Sequence, residues 1–425
     1  MSDTRGAGPD RPTLRVLGTR GVPAAHGGFE TFAERLAVFL VSKGWRVIVY
    51  CQEVGRKAVV EDVWQGIERV RISVPGNGAA STVQFDLLSI LHARKFNDQC
   101  LTLGYNTACF WPLLRFSGVR NVANMDGIEW RRAKWSRPVK VWFWLNDWIG
   151  CWVADHLVAD HPEIKSLLLR RVRDDKITQI AYGADPIRDV PAELLNSMGL
   201  VPQGFMTVIA RAEPENSVLE CVKGFSMRPR GIKLAVLGDY SDNNTYHRQV
   251  KAAASDEVVF LGAIYEKATV QALRAHCAAY LHGHQVGGTN PSLIEAMASG
   301  NAIIAHANRF NRWVTDDRAL FFETAESLDC AIQQLQSDTE LGDSLRHQAY
   351  DVFEKRYSWP IILAAYEGLL DSPSEYRGSK AVRIARNVRQ AFNSVFRLKT
   401  GIPIDGPISK EQRSLEIGEQ RLSAK

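Results

Sequence analysis

Short apolar, often β-branched runs alternate with amphipathic stretches along most of this chain, and that alternation limits the folds open to it more than any other feature. Strand, helix and strand in succession is how a parallel sheet covered by helices on both faces reads in sequence. In the first half, 14–18, 46–51, 70–74, 101–104, 119–123, 156–159 and 176–182 read as strands, and 29–42, 83–96, 139–153 and 162–171 as helices. Residues 186–204 hold three prolines and no periodicity, which marks a linker. Strand patterns then resume at 206–210, 233–238, 258–262, 279–283 and 302–306. A length of 425 residues suits two such units. The expected organisation is a flexible N-terminus (1–13), one α/β domain (14–190), a second (200–356), a closing helix (357–370) and a basic tail (371–425). Two units in tandem leave a cleft, and parallel sheets bind ligands at the carboxyl ends of their strands.

Charge narrows the function. The formal net charge is +5, and the segment from Asp371 onward carries eleven basic against six acidic side chains, which is all of it. A neutral body argues against a uniformly basic nucleic-acid binder. Residues 1–13 are polar without a following apolar run, so no secretory leader is expected. The most apolar stretch, 139–159, is interrupted by Lys140, Asn146, Asp147, Asp155 and His156, too many polar groups for a membrane span. The seven cysteines form no CxxC pair and read as reduced structural thiols, as in the cytoplasm.

Two loops stand out. The first strand runs into Gly18 and then His26, Gly27 and Gly28, with a helix following. Glycines allow close backbone approach, and a helix start favours an anion. The spacing is not GxGxxG, so a dinucleotide fingerprint is not supported; a turn that merely starts a helix and a binding loop both fit. The second loop, His282 to Gly300, also follows a strand and opens a helix. Ser292 and Glu295 fit a capping box. They equally fit a site where Thr289, Asn290 and Ser292 donate to a diphosphate and Glu295 accepts from sugar hydroxyls. No histidine here has a zinc-ligand pattern, and none of the three, His26, His282 or His284, is expected to hold a metal.

Taken in order, the Gly-Gly-Phe-Glu loop at 27–30, Ile180 to Asp185, Ala210 to Asn216, and Gly287 to Gly300 resemble the motifs of GT-B fold glycosyltransferases of family 4. Asp126 to Trp135 resembles a signature of the rhamnosyltransferase-like branch, with a DUF1972-type N-terminal domain. The resemblance implies two Rossmann-like domains facing across a cleft. It also implies a nucleotide-sugar donor held mainly by the second domain, an acceptor held by the first, and neither metal nor cofactor. Carried over, Arg211 contacts the donor diphosphate and Glu295 the ribose. Gly287, Gly288, Thr289, Asn290 and Ser292 line the diphosphate and sugar, and Gly27 and Gly28 approach from the opposite domain with His26 beside them. Asp126 orients the acceptor hydroxyl, so Asp126 and Glu295 are the catalytic candidates. Retention is implied with the departing phosphate taking the acceptor proton. Two positions depart from the wider family: Asn216 stands where a lysine is usual, and Gly287 where an acid is usual. Met125 replaces a histidine common before Asp126.

The implied reaction is transfer of L-rhamnose from dTDP-rhamnose onto a lipid-diphosphate-linked glycan in cell-surface polysaccharide synthesis, with another donor or a silent homologue as alternatives. Six of the eleven tryptophans lie between Trp130 and Trp152, interleaved with basic residues, which suits either a membrane interface or a domain core. From Arg377 to Lys399 there is no acid, and the apolar residues fall on one helical face. This segment reads as a basic amphipathic helix that either packs Phe392 and Phe396 on the enzyme's own surface or rests on an anionic membrane, which would place the protein peripherally on the cytoplasmic face. No nucleic-acid partner is expected.

Overall fold

The computed structural model describes residues 12–372 apart from 26, 57, 58 and 133. His26 and the amphipathic segment 377–399 therefore lie outside the described residues. Among the described residues fourteen strands form two sheets: β1 Thr13–Leu17, β2 Arg46–Val54, β3 Val60–Trp64, β4 Ile67–Val74, β5 Gln99–Leu103, β6 Asn121–Asn124, β7 His156–Ala159 and β8 Ile177–Gln179 in the first, and β9 Phe205–Ile209, β10 Lys233–Leu237, β11 Val258–Gly262, β12 Ala279–His282, β13 Ala302–His306 and β14 Leu320–Phe322 in the second. Their central strands are buried because helices cover both faces, which is why they read as unbroken apolar runs.

The first sheet runs β3-β4-β2-β1-β5-β6-β7-β8 and the second β11-β10-β9-β12-β13-β14. Pairing is parallel throughout except between β3 and β4. Strand order reverses between β1 and β5 in one sheet and between β9 and β12 in the other. At such a switch point the loops leaving adjacent strands diverge and open a crevice at their carboxyl ends. The fold therefore directs the loops after β1, β9 and β12 into the same kind of place.

Helix Trp359–Asp371 follows the second sheet in sequence but packs on the first. Its Trp359, Ile362, Leu363, Tyr366 and Leu370 join Leu14, Phe32 and Leu36 in one core, with the Phe32 and Tyr366 rings 4.6 Å apart. Tyr366 also accepts a 2.9 Å hydrogen bond from the Asn124 amide at the end of β6. The chain thus leaves the first unit, builds the second and returns to close the first.

Candidate active site

A cleft of about 450 Å³ lies between the sheets, within the size range of small-ligand sites. Every part of its wall follows the carboxyl end of a strand or comes from the returning helix. Gly28 comes from the loop after β1, Asp126 to Glu129, Arg132 and Lys134 follow β6, Asp160 follows β7, and Tyr182 follows β8. From the second domain come Arg211 and Asn216 after β9, and His284 and Val286 to Pro291 after β12.

Two helix starts meet here. Helix Gly28–Ser42 is capped by Gly27 and helix Pro291–Ala298 by Asn290. A Cβ on Gly28 would lie 3.6 Å from Pro291, so the two N-termini are close across the cleft. Each presents the partial positive charge of a helix start, an arrangement suited to an anion such as a diphosphate; the first helix has no side-chain cap, whereas at the second the Ser292, Leu293 and Ile294 N–H groups already donate to Asn290. Arg211 lines the same wall, is exposed, and makes no ion pair among the described residues. Asn216, where the wider family carries a lysine, donates from its amide to the Arg211 carbonyl at 2.9 Å. It holds the Arg211 turn rather than adding charge.

Two cations missed in the sequence reading share this cleft. Arg132 bonds Glu129 at 2.9 Å and, across the domain boundary, Glu215 at 2.6 Å. Lys134 lies beside Arg132 and Arg211; burial first, then these two charges, lower its pKa. His284 stacks on buried His282 with ring centroids 4.4 Å apart, and burial with nearby Arg132 and Arg211 holds it at about 4. Both rings are neutral near pH 7, consistent with a structural role for the pair.

The carboxylates are less evenly anticipated. Asp126 adopts a positive φ of 53° and its backbone N–H donates to Asn124 Oδ1 at 2.9 Å. Desolvation, then the charge of Glu129, raises its carboxyl to about 6. Asp160 was not singled out by sequence, because a lone Asp after a short strand carries no motif. Its Oδ2 accepts the Thr289 N–H at 2.8 Å, while Oδ1 is buried without a partner. Burial pushes Asp160 to about 7, with Asp126 contributing repulsion.

The structure corrects several readings of the second loop. Ser292 does not line the cleft: its hydroxyl is engaged with the Tyr280 hydroxyl and the Ile209 carbonyl, behind the loop. Asn290 lines the cleft, but its side-chain oxygen accepts the Ser292 N–H at 2.9 Å and so caps the helix. Thr289 lines it too, with its hydroxyl donated to the Asp160 carbonyl. No capping box forms, because Asn290 holds the cap and Glu295 pairs with Arg274 at 2.6 Å. Glu295 lies beside rather than in the cleft wall, near enough to Tyr182 that its charge adds to burial in raising that hydroxyl's pKa. Gly287, with φ of 140° and open space where a Cβ would sit, and Gly288 are in the wall itself.

Residues 202–352 match the family described as glycosyl transferases group 1, and residues 12–185 match a domain of unknown function, DUF1972. The second domain is a group 1 glycosyltransferase domain. No curated protein matches it in sequence. Its fold is that of sucrose-phosphate synthase from Thermosynechococcus elongatus, at a TM-score of 0.70 and 15% identity over 90% of this chain and 100% of the other. The Anabaena protein HepE in complex with UDP-glucose aligns at TM-score 0.65 and 13% identity, over 85% of this chain and 100% of that one. An E. coli structure titled trehalose-6-phosphate, bound with UDP-2-fluoro glucose, gives 0.64 and 11% over 85% and 99%. These likenesses establish the GT-B architecture of the glycosyltransferase. Among its described residues no helix is long and apolar enough to cross a membrane.

Proposed function

We propose that this glycosyltransferase moves L-rhamnose from dTDP-rhamnose, with retention, onto a lipid-diphosphate-linked glycan at the cytoplasmic membrane face, in cell-surface polysaccharide synthesis. The observation that carries the transfer itself is the meeting of two helix N-termini and unpaired Arg211 in one cleft. Leaving-group departure concentrates negative charge on the diphosphate, and preorganised dipoles and a cation lower that barrier. Asp126 and the unpartnered Asp160 Oδ1 are acceptors for sugar hydroxyls on the opposite wall. The rhamnose assignment draws on the resemblance of 126–135 to the rhamnosyltransferase-like branch. Anchoring by 377–399 rests on its basic amphipathic sequence.

A second reading, UDP-glucose as donor, is favoured by HepE, whose fold this chain shares and which was captured with that molecule. Incubating the purified protein with dTDP-rhamnose, UDP-glucose and GDP-mannose, with and without membrane extract, separates the readings. Turnover of dTDP-rhamnose that depends on extract supports the proposal. Turnover of UDP-glucose alone transfers it to the second reading, and neither turnover nor binding of any donor overturns both.

A further inference from the structure

The helix Arg137–Val153 packs Phe143, Asn146, Asp147, Gly150 and Cys151 against the first domain. Its opposite face is unusual. Val141, Trp144, Leu145 and Trp152 are between 43% and 59% exposed. With Trp148 they fall within an arc of roughly 100° on a helix. The rings of Trp144, Trp148 and Trp152 form a ladder at i, i+4 spacing, with centroids 5.9 and 5.3 Å apart. A water-soluble surface rarely carries so many contiguous apolar side chains without a partner. The helix's one acid, Asp147, is on the inner face and paired with buried Arg171 at 2.6 Å.

Charge specifies the partner. Between Trp130 and Asn146 there are five basic residues and no acid: Arg131, Arg132, Lys134, Arg137 and Lys140. Arg131 and Arg137 are exposed at the end of the stripe, and Lys134 already lines the cleft. Tryptophan prefers the boundary between lipid headgroups and acyl chains, and basic residues prefer the anionic headgroups beside it. A protein partner would call for a polar rim of both signs; from Arg131 to Lys140, the end nearest the cleft, this rim has one.

Resting on the lipid-linked acceptor read above, we infer that the outer face of helix Arg137–Val153 is a membrane-docking surface. It inserts Trp144, Leu145 and Trp152 among the headgroups of an anionic bilayer and sets the cleft mouth at Lys134 against it. A saccharide diphosphate could then enter the cleft while its lipid stays in the bilayer.

Vesicles of equimolar phosphatidylcholine and phosphatidylglycerol, without any sugar donor, test this on the full chain. Cosedimentation should fall about tenfold or more in Trp144→Glu/Trp152→Glu. Brominated lipids should quench tryptophan emission of the unaltered chain, a readout that needs no variant to fold. Arg137→Glu/Lys140→Glu should weaken binding in low salt and less in high salt. Binding that survives the tryptophan exchange but is lost on deleting 373–425 would overturn the inference in favour of the tail. A concentration-dependent dimer abolished by the exchange, with no vesicle binding, would overturn it in favour of a second copy. Because no transfer is measured, loss of vesicle binding leaves the glycosyltransferase reading standing. Turnover limited to soluble acceptors, with vesicle binding intact, would fault only the acceptor.

Discussion

The carboxylate of Asp160, at the end of β7 in the first domain, accepts the backbone N–H of Thr289 in the second domain at 2.8 Å, and the Asp160 carbonyl accepts the Thr289 hydroxyl. One residue thereby holds the donor-side loop from across the cleft, and its other carboxylate oxygen is left buried and unpaired. An unpaired buried acceptor is costly unless a ligand completes it.

Replacing Asp160 separates these two jobs. Asp160→Asn keeps an oxygen for Thr289 but turns the free acceptor into a donor. It should lower kcat/KM by about ten- to a hundredfold, or about 1.4 to 2.7 kcal/mol, with little change in Tm at low pH, where native Asp160 is also uncharged. Asp160→Ala also orphans the Thr289 N–H and should cost about 1–3 kcal/mol of stability. Full turnover by Asp160→Asn would show that Oδ1 meets no substrate.

The pH response follows from the same group. Asp160 and Asp126 are raised from 3.8 to about 7 and about 6, so both hold protons longer in the folded than in the unfolded chain. Each contribution makes stability fall as pH rises from near 3.8 through the folded value. Buried His284, lowered from 6.5 to about 4, slopes the opposite way over its own range. The informative quantity is therefore the difference between wild type and Asp160→Asn. Denaturant titrations should show the variant gaining on wild type with rising pH, by up to about 4 kcal/mol, and levelling off above pH 7. A constant difference would mean Asp160 titrates normally. If ionised carboxylates receive substrate hydroxyls, kcat/KM should also rise through pH 6–7 as a property of the coupled pair.

How far the sequence reached depends on what each residue had to signal. Buried parallel strands announce themselves as apolar runs, so β1, β2, β7 and the central strands of the second sheet were legible. The antiparallel edge strand β3 was not: Glu61 and Asp62 break its apolar pattern, and Asp62 is held by Arg69 and Arg71 of β4 at 2.6 and 2.9 Å. Its turn, Gln65-Gly66, has positive φ at both residues but lacks the asparagine that usually marks such hairpins. In the cleft, glycines and Arg211 stood out because they follow strands. Thr289, Asn290 and Ser292 were read as ligand donors although their side chains are consumed by the scaffold. Sequence spacing places a hydroxyl near a site without saying which way it points. Asp160 and the Arg132–Glu215 bridge were illegible because each depends on two segments distant in the chain.

The adjacent glycines of the donor loop should respond differently to alanine. At Gly288 a Cβ would sit 2.3 Å from both Asp160 carboxylate oxygens, so Gly288→Ala must displace the interdomain contact. Gly287 has φ of 140° but open space, so Gly287→Ala carries backbone strain of about 1 kcal/mol or more without a clash. Gly288→Ala should reduce kcat/KM by about a hundredfold or more, and Asp160→Ala should add little further loss on top of it. Additive losses in the double variant would show that the two do not act through one contact.

Arg211 is exposed and free of ion pairs among the described residues, so removing it strands no partner. Arg211→Ala should leave the unfolding free energy within about 0.5 kcal/mol of wild type while cutting kcat/KM by tenfold or more. Arg211→Lys keeps charge but not the planar fork and should recover only part of the loss. A Tm drop with kcat/KM unchanged would assign Arg211 to the scaffold.

Glu295 presents the opposite case, because its removal also exposes a structural dependency. It pairs with Arg274 at 2.6 Å, and Arg274 is 8% exposed while Glu295 is 35% exposed. Glu295→Ala leaves that guanidinium without its carboxylate and should cost about 1–3 kcal/mol of stability, whatever its effect on transfer. Glu295→Gln keeps a hydrogen-bond acceptor for Arg274 and should restore most of that stability. A carboxylate that receives ribose hydroxyls binds them more strongly than an amide does, so the Gln variant should still raise donor KM by about tenfold with kcat little changed. Glu295 would be purely structural if Glu295→Gln matched wild type in both KM and kcat while Glu295→Ala lost only Tm.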